Sequence, residues 1–187
     1  MRFLFAIVVL SGTFAFLGGR DLWLASKANN EPDKLTAAQL IARGAEGNPH
    51  VELSQFFIGD NFVYAEEHGR WKTVWLPVGP VENVDQPLTT VRAVLKTNKV
   101  QSEADILSLA ATPALRGMVM NHIQSLGSDE KRILTEAYPG TNAQDVLILE
   151  VGKDPAEMKK KGGTFFGLGI VGLLVSAGIA VVVIRRS

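Results

Sequence analysis

The stretch Thr164–Ile184 reads TFFGLGIVGLLVSAGIAVVVI and contains no charged side chain. As a helix rising about 1.5 Å per residue it would extend about 31 Å, close to the thickness of the hydrocarbon core of a bilayer. A helix that is apolar on every side has no polar face to turn towards water. We therefore predict a C-terminal transmembrane helix with a short basic tail, and assign residues 159–187 to it.

A second apolar run, Phe3–Leu17, reads FLFAIVVLSGTFAFL. Two interpretations stay open. The run is either a secretory signal cleaved near Ser26-Lys27-Ala28, or an uncleaved signal-anchor whose helix continues through Leu24 with Trp23 at the membrane interface. We adopt the second interpretation and assign residues 1–27 to a signal-anchor transmembrane helix.

Each apolar run carries small side chains at intervals of four residues. Such rows allow two helices to approach closely in lipid. They predict that the two helices pack on each other, or on copies in another chain, although small residues are also simply common in membrane helices. The predicted helix-packing residues are Ser11, Ala15 and Gly19 in the first run, and Gly172, Ser176 and Ala180 in the second.

The sequence carries conflicting signals about the side of the membrane on which the intervening domain lies. Counting basic residues near the spans favours the cytoplasm, and Lys159–Lys161 is the main contribution. Connections longer than about 60 residues, however, cross the membrane largely regardless of their charge. We expect an integral protein with an extracytoplasmic domain, while the lysine cluster could instead meet anionic head groups from the cytoplasmic side.

The composition excludes several classes of function. The chain has 187 residues, 19 basic and 19 acidic, and no cysteine. The absence of cysteine excludes disulfides, thiolate catalysis and cysteine-ligated metal centres. All the carboxylates fall between the two apolar runs, so the intervening domain is mildly acidic and a poor match for nucleic acid.

Residues 28–158 are predicted to form one globular α+β domain. Alternating apolar residues recur from Val51 to Leu95, interrupted by turns such as Gly59-Asp60-Asn61. Asp145–Val151 is the most strand-like segment, and we expect it at the centre of the sheet. Segments that begin with a capping residue predict about three short helices. The fold class is therefore a mostly antiparallel sheet or small open barrel, flanked by the two transmembrane helices.

Local signals place the predicted helices and the less regular segments. The helices are Leu35–Gly44, with Thr36 and Gln39 as a capping box, Glu103–Ala111 capped by Ser102, and Asp129–Ala137 capped by Ser128. The predicted linker is Ala28–Lys34, the predicted loop is Gly79–Pro87, and the strand predictions include Thr89–Leu95 and Arg116–Asn121.

The three histidines, His50, His68 and His122, show no metal-ligand spacing. The closest approach to a catalytic pattern is Glu66-Glu67-His68 in a predicted turn, where a carboxylate could orient an imidazole, although a solvated turn rich in charge is the favoured interpretation. We expect His50 at the surface. The sequence therefore assigns no catalytic, metal-binding or cofactor-binding residue, and no cofactor.

Trp71 and Trp75 would lie on one side of a regular strand. Aromatic side chains dominate many protein interfaces, so this pair predicts a surface that contacts a partner or lipid, together with Lys159, Lys160 and Lys161. The favoured interpretation is that the indoles belong to the core, and the partner or lipid surface is the alternative.

The most economical function is a membrane-anchored, non-enzymatic protein whose domain binds other proteins, as an assembly or scaffold subunit. The expected partners are the lipid bilayer and other membrane proteins or further copies of the chain, and not nucleic acid. Two alternatives stay open: a membrane-bound enzyme with a site near His122 or His68, and a module that binds lipid head groups.

Overall fold

The computed structural model describes residues 2–120 and 126–186, which form five α-helices and eight β-strands. The helices are α1 (Arg2–Lys27), α2 (Ala37–Arg43), α3 (Glu103–Ala110), α4 (Ser128–Ala137) and α5 (Pro155–Arg186). The strands are β1 (Asp33–Thr36), β2 (His50–Ser54), β3 (Phe56–Ile58), β4 (Val63–Glu67), β5 (Arg70–Pro80), β6 (Ala93–Thr97), β7 (Ala114–Val119) and β8 (Leu147–Val151). Helices α1 and α5 form one compact unit, and residues 28–154 form another.

The sheet of the second unit runs in the order β1-β2-β7-β8-β6-β5-β3, with β4 pairing beside β3 on the same long strand β5. Only the β1–β2 and β6–β8 pairs are parallel among those described. A single residue, Gln55, separates β2 from β3, and its φ of 51° turns the chain sharply. Because β2 and β3 lie near opposite ends of the sheet, this connection nearly closes it into a barrel. The predicted α+β class and mostly antiparallel, barrel-like sheet are confirmed.

The core occupies the inside of the barrel. Its members are aliphatic side chains from the inward faces of several strands, among them Val51, Leu76, Leu95 and Leu149. Ile148 is only 2 % exposed although it points away from that cluster. Both faces of β8 are therefore covered, and β8 lies in the middle of the strand order, as predicted for Asp145–Val151.

Local capping signals place two of the short helices correctly. The Thr36 hydroxyl accepts from the Gln39 backbone N–H, and the Gln39 side chain accepts from the Thr36 backbone, which completes the predicted capping box before α2. The Ser102 hydroxyl caps α3. The prediction for Ser128 is wrong: α4 begins at that residue, and Gly127 precedes it without a side-chain cap.

Three segment predictions need correction. Part of the predicted linker, from Asp33 onward, is strand β1, because β2 offers it a parallel partner. Strand β6 begins only at Ala93, so the loop after β5 extends through residue 92. Helix α5 begins at Pro155, a residue that is favourable in the first turn of a helix, so the lysine cluster is helical.

Candidate functional site

Helices α1 and α5 are antiparallel and in close contact. A Cβ atom built on Gly172 would meet the Ser11 side chain, one on Gly169 would meet the backbone of Ala15, and one on Gly18 would meet the backbone of Phe166. The rings of Phe14 and Phe165 stack with their centroids 5.7 Å apart. The absence of a side chain at these glycines is what allows the two backbones to approach.

The contact residues only partly match the predicted rows. Ser11 and Ser176 are buried, and the Ser176 hydroxyl donates to the Gly172 carbonyl at 2.8 Å. Gly19 has only ordinary contact with the Phe166 ring, while Gly18 beside it makes the close approach. Ala180 is half-buried.

The contact residues that a strict spacing of four misses are Gly18, Gly162 and Gly169. Because an α-helix has 3.6 residues per turn, steps of four drift around the helix, and alternating steps of three and four keep to one face. The series Ser11, Ala15, Gly18 follows that alternation and was visible in the sequence.

Both helices are long and apolar enough to cross a membrane. The segments that qualify by length and composition are Phe5–Lys27 and Pro155–Ala180. Lys159, Lys160 and Lys161 are exposed near the start of α5, and the Lys161 ammonium pairs with the Glu157 carboxylate on the same helix at 2.6 Å. That these lysines meet lipid or a partner stays a prediction.

The two tryptophans lie on opposite faces of β5. The β4–β5 register passes from Ala65 opposite Thr73 to Glu66 opposite Trp71, which leaves Lys72 as an extra residue in a bulge. Trp71 therefore packs against the core and stacks on Tyr64, with the ring centroids 4.6 Å apart. Trp75 lies between the inward-facing Val74 and Leu76 and points outward. The single aromatic surface of a regular strand does not form, and partner contact by either indole stays a prediction.

His68 is explained by the geometry of a turn. It and Gly69 are the two central residues of the β4–β5 hairpin, with φ of 54° and 74°, values typical of a type I′ turn. The neighbouring Glu67 carboxylate pairs with the Lys72 ammonium. His68 therefore occupies a turn position that requires a positive φ, and the Glu67 carboxylate pairs with Lys72 rather than with the imidazole. His122, the other candidate of the enzymatic alternative, lies outside the described residues.

His50 is buried, at 4 % exposure, and the expectation of a surface position is wrong. Its Nδ1 lies 3.1 Å from the Asn29 carbonyl oxygen, and its backbone N–H donates to the Asn48 side chain. Asn48 also accepts from the Asn29 backbone N–H. These bonds attach the chain before β1 to the start of β2, which buries the imidazole.

A cleft of about 530 Å³, here called the edge cleft, lies beside strand β3. It is lined by residues 56–61, by residues 84–88 of the loop after β5, by Ala110 and by Tyr138. Its polar side chains are those of Asp60, Asn61, Asp85, Gln86 and Tyr138, and none of its described lining residues is basic. Over the described part of the chain, no three His, Asp or Glu side chains group as metal ligands would.

Leu88 holds the loop 81–92 against the sheet. Its two methyl carbons lie 2.7 Å from a Cβ built on Gly59 and 2.9 Å from one built on Gly79. A larger residue at either glycine would displace the Leu88 side chain. The leucine therefore packs in the space left by the two glycines. Most of the remaining loop is exposed, including Val84 at the rim of the cleft.

Tyr138 joins the end of α4 to the turn after β3. Its hydroxyl is buried and donates to the Asn61 carbonyl oxygen at 3.1 Å. Burial raises the pKa of Tyr138, and the Asp60 carboxylate acts in the same direction. The hydroxyl is therefore neutral at physiological pH and acts as a hydrogen-bond donor in the cleft.

The sequence predicted the separate segments that build this cleft, but it did not predict that they lie close together in the fold. The sequence predicts a turn at Gly59-Asp60-Asn61 and a loop at Gly79–Pro87. They converge only because β3 and β5 are paired and Tyr138 reaches Asn61 across the fold. The chain matches no protein-family model, and no curated protein or solved structure matches it.

Proposed function

We propose that this chain is a membrane-anchored binding protein whose barrel domain engages another protein at the edge cleft, as an assembly or scaffold subunit. The observation that carries the proposal is the cleft itself. It combines a rigid strand with an exposed loop, and loops held by a rigid scaffold are where proteins commonly place binding residues. Its carboxylates, amides and apolar side chains are groups suited to binding a polypeptide.

The membrane part of the proposal is supported by α1 and α5. Their antiparallel packing is the arrangement expected of two spans joined by a domain on one side of a membrane. We propose the extracytoplasmic side, because a connection as long as residues 28–154 crosses the membrane largely regardless of its charge. Protease treatment of intact cells and of inverted vesicles tests this. Cleavage of the domain only in inverted vesicles would contradict the proposed side.

Site-specific photo-crosslinking in native membranes tests the binding function. A benzophenone side chain at Val84, which is 54 % exposed at the cleft rim, should give a discrete adduct whose partner is a polypeptide by mass spectrometry. The same group at Tyr64, which is 44 % exposed but does not line the cleft, is the matched control.

The adduct at Val84 should also weaken in the double variant Asp60→Asn/Asp85→Asn, because those carboxylates line the cleft. Equal adducts at Val84 and Tyr64 would contradict a cleft-specific partner. A lipid adduct at Val84 would overturn the proposal in favour of a head-group-binding module.

A further inference from the structure

One edge of strand β3 pairs with no strand of the described residues and is called its free edge. Among the described residues the strand pairs only with β5, and it stands at the end of the sheet. The Gly59 backbone N–H donates to the Pro77 carbonyl at 2.8 Å, and the Gln55 carbonyl accepts from the Val81 N–H at 3.1 Å. Odd-numbered residues therefore direct their backbone groups towards β5.

Alternate residues of a strand direct their backbone groups to opposite sides. The N–H and C=O groups of Phe56 and Ile58 consequently point away from β5, along the free edge. Such a row of unpaired donors and acceptors is a template for one more strand. Three residues extend about 10 Å, which is long enough for the short pairing seen in strand-addition complexes.

The edge cleft surrounds this free edge. Phe56 and Ile58 belong to the inward side, where they contact the core, while Phe57 lies opposite Gly79 on the other side. All three line the cleft. A cavity bordered by both faces of one strand is open along that strand's edge, where an added backbone would lie.

The negative charge of the cleft indicates which side chains a bound segment should carry. Asp60 and Asp85 are exposed carboxylates from the two segments that border it, and no described lining residue offsets them. A lysine or arginine side chain on an added strand would find a complementary charge there, whereas a glutamate would be repelled.

We propose that the edge cleft binds an extended segment of a partner polypeptide, which adds to β3 as a strand and directs a basic side chain towards Asp60 and Asp85. This inference rests on the proposed binding function and specifies its mode. The partner backbone supplies the hydrogen bonds to Phe56 and Ile58, and its basic residue sets the register.

Labelled synthetic peptides and the full chain in nanodiscs of neutral lipid test the proposal by fluorescence anisotropy. The probe peptide alternates valine and threonine around a central lysine, and its partner peptide carries glutamate at that position. The lysine peptide should bind about two- to fivefold more tightly, the range expected for solvent-exposed ion pairs. The preference should disappear in Asp60→Asn/Asp85→Asn and persist in Glu82→Gln, on the same loop but outside the cleft.

Backbone N-methylation tests the strand pairing directly. Methylation of the alternate peptide N–H groups that face β3 removes the hydrogen bonds to β3 and should weaken binding about tenfold. Methylation of the same number of N–H groups on the opposite side of the peptide should leave the affinity nearly unchanged. Equal effects of the two registers would overturn strand addition, as would binding of the glutamate peptide that equals or exceeds that of the lysine peptide.

The two proposals can fail separately. If no peptide binds while the Val84 adduct with a polypeptide persists, strand addition is wrong and the binding function stands. If the label at Val84 captures a second copy of this chain, the basic extended partner is likewise wrong. If neither peptides nor adducts are found, both proposals fail.

Discussion

The side-chain amide of Asn48 donates a hydrogen bond to the carboxylate of Asp33 at 2.9 Å. The same amide group donates to the Glu31 carbonyl, and its oxygen accepts from the backbone N–H groups of Asn29 and His50. Asn48 is 3 % exposed, and its bond from the His50 backbone N–H is fully buried, whereas its partners Asn29, Glu31 and Asp33 lie at the surface. One side chain thus joins the chain around β1 to the start of β2.

Replacing Asn48 by alanine should lower the free energy of unfolding by about 1 to 3 kcal/mol, because a buried side chain loses four hydrogen bonds together and the buried His50 backbone N–H loses its partner. Denaturant unfolding of the full chain measures this change. Asn30→Ala is the matched control, since Asn30 is a nearby exposed asparagine, and it should change the value by less than about 0.5 kcal/mol. Equal effects of the two substitutions would contradict the proposal that the Asn48 side chain links the chain around β1 to the start of β2.

Leu88→Ala should release the loop after β5. The leucine fills the space above Gly59 and Gly79, and its truncation at a half-buried position should cost about 1 to 2 kcal/mol. Limited proteolysis of the full chain should then show faster cleavage between residues 81 and 92. Val84→Ala, on the exposed part of the same loop, should leave the cleavage rate unchanged, and faster cleavage in both variants would count against a specific anchor.

A leucine at Gly169 should disrupt the helix pair. A Cβ atom there would lie 2.7 Å from the Ser11 carbonyl oxygen, which is backbone and cannot move aside locally. Gly167→Leu is the matched control on the same helix, because no atom lies within 4 Å of the corresponding position.

Disulfide trapping of Ser11→Cys with Gly172→Cys reports on this pairing without background, since the chain has no cysteine. The Ser11 Cβ lies 3.0 Å from a Cβ built on Gly172, closer than the separation of about 3.8 Å found in disulfides, so a small separation of the two helices allows the bond. An intramolecular cross-link should form, survive Gly167→Leu and decline with Gly169→Leu. A cross-linked dimer would show instead that these residues pair between two chains.

The cap of α3 should make stability depend on pH. The backbone N–H of Gln101 and the hydroxyl of Ser102 both donate to the Asp105 carboxylate at 2.9 Å, and these bonds hold the pKa of that carboxyl below its usual range. The stabilisation is therefore complete above about pH 4 and is lost as the pH falls through the lower pKa of the folded state.

The difference in unfolding free energy between the native chain and Asp105→Asn should accordingly shrink as the pH is lowered from about 5 to 2. Denaturant titrations at several pH values measure it. Glu103→Gln removes a carboxylate from the same helical turn that makes neither of these bonds, and serves as the control. A difference that stays constant over this range would contradict the role of the Asp105 carboxylate.

Short-range patterns were enough to predict much of the fold. The capping box at Thr36 and Gln39 and the cap at Ser102 depend on atoms within four residues of one another, so their sequence signal is complete. The apolar run of α5 and the consecutive apolar residues of β8 likewise indicate the apolar surroundings of each segment. The bulge at Lys72 left no such signal, and it turned Trp71 to a different face from Trp75.

Periodicity and composition determined that this chain has two apolar helices and an α+β domain, because those properties arise from neighbouring residues. Tertiary structure decided which strand would be left with a free edge, which glycines lie against the opposite helix and where Asp60, Asp85 and Tyr138 meet. Those outcomes depend on contacts between residues far apart in the chain, such as the bond from Tyr138 to Asn61. A pairing across that distance depends on the shapes of both partners, and neither segment alone specifies it.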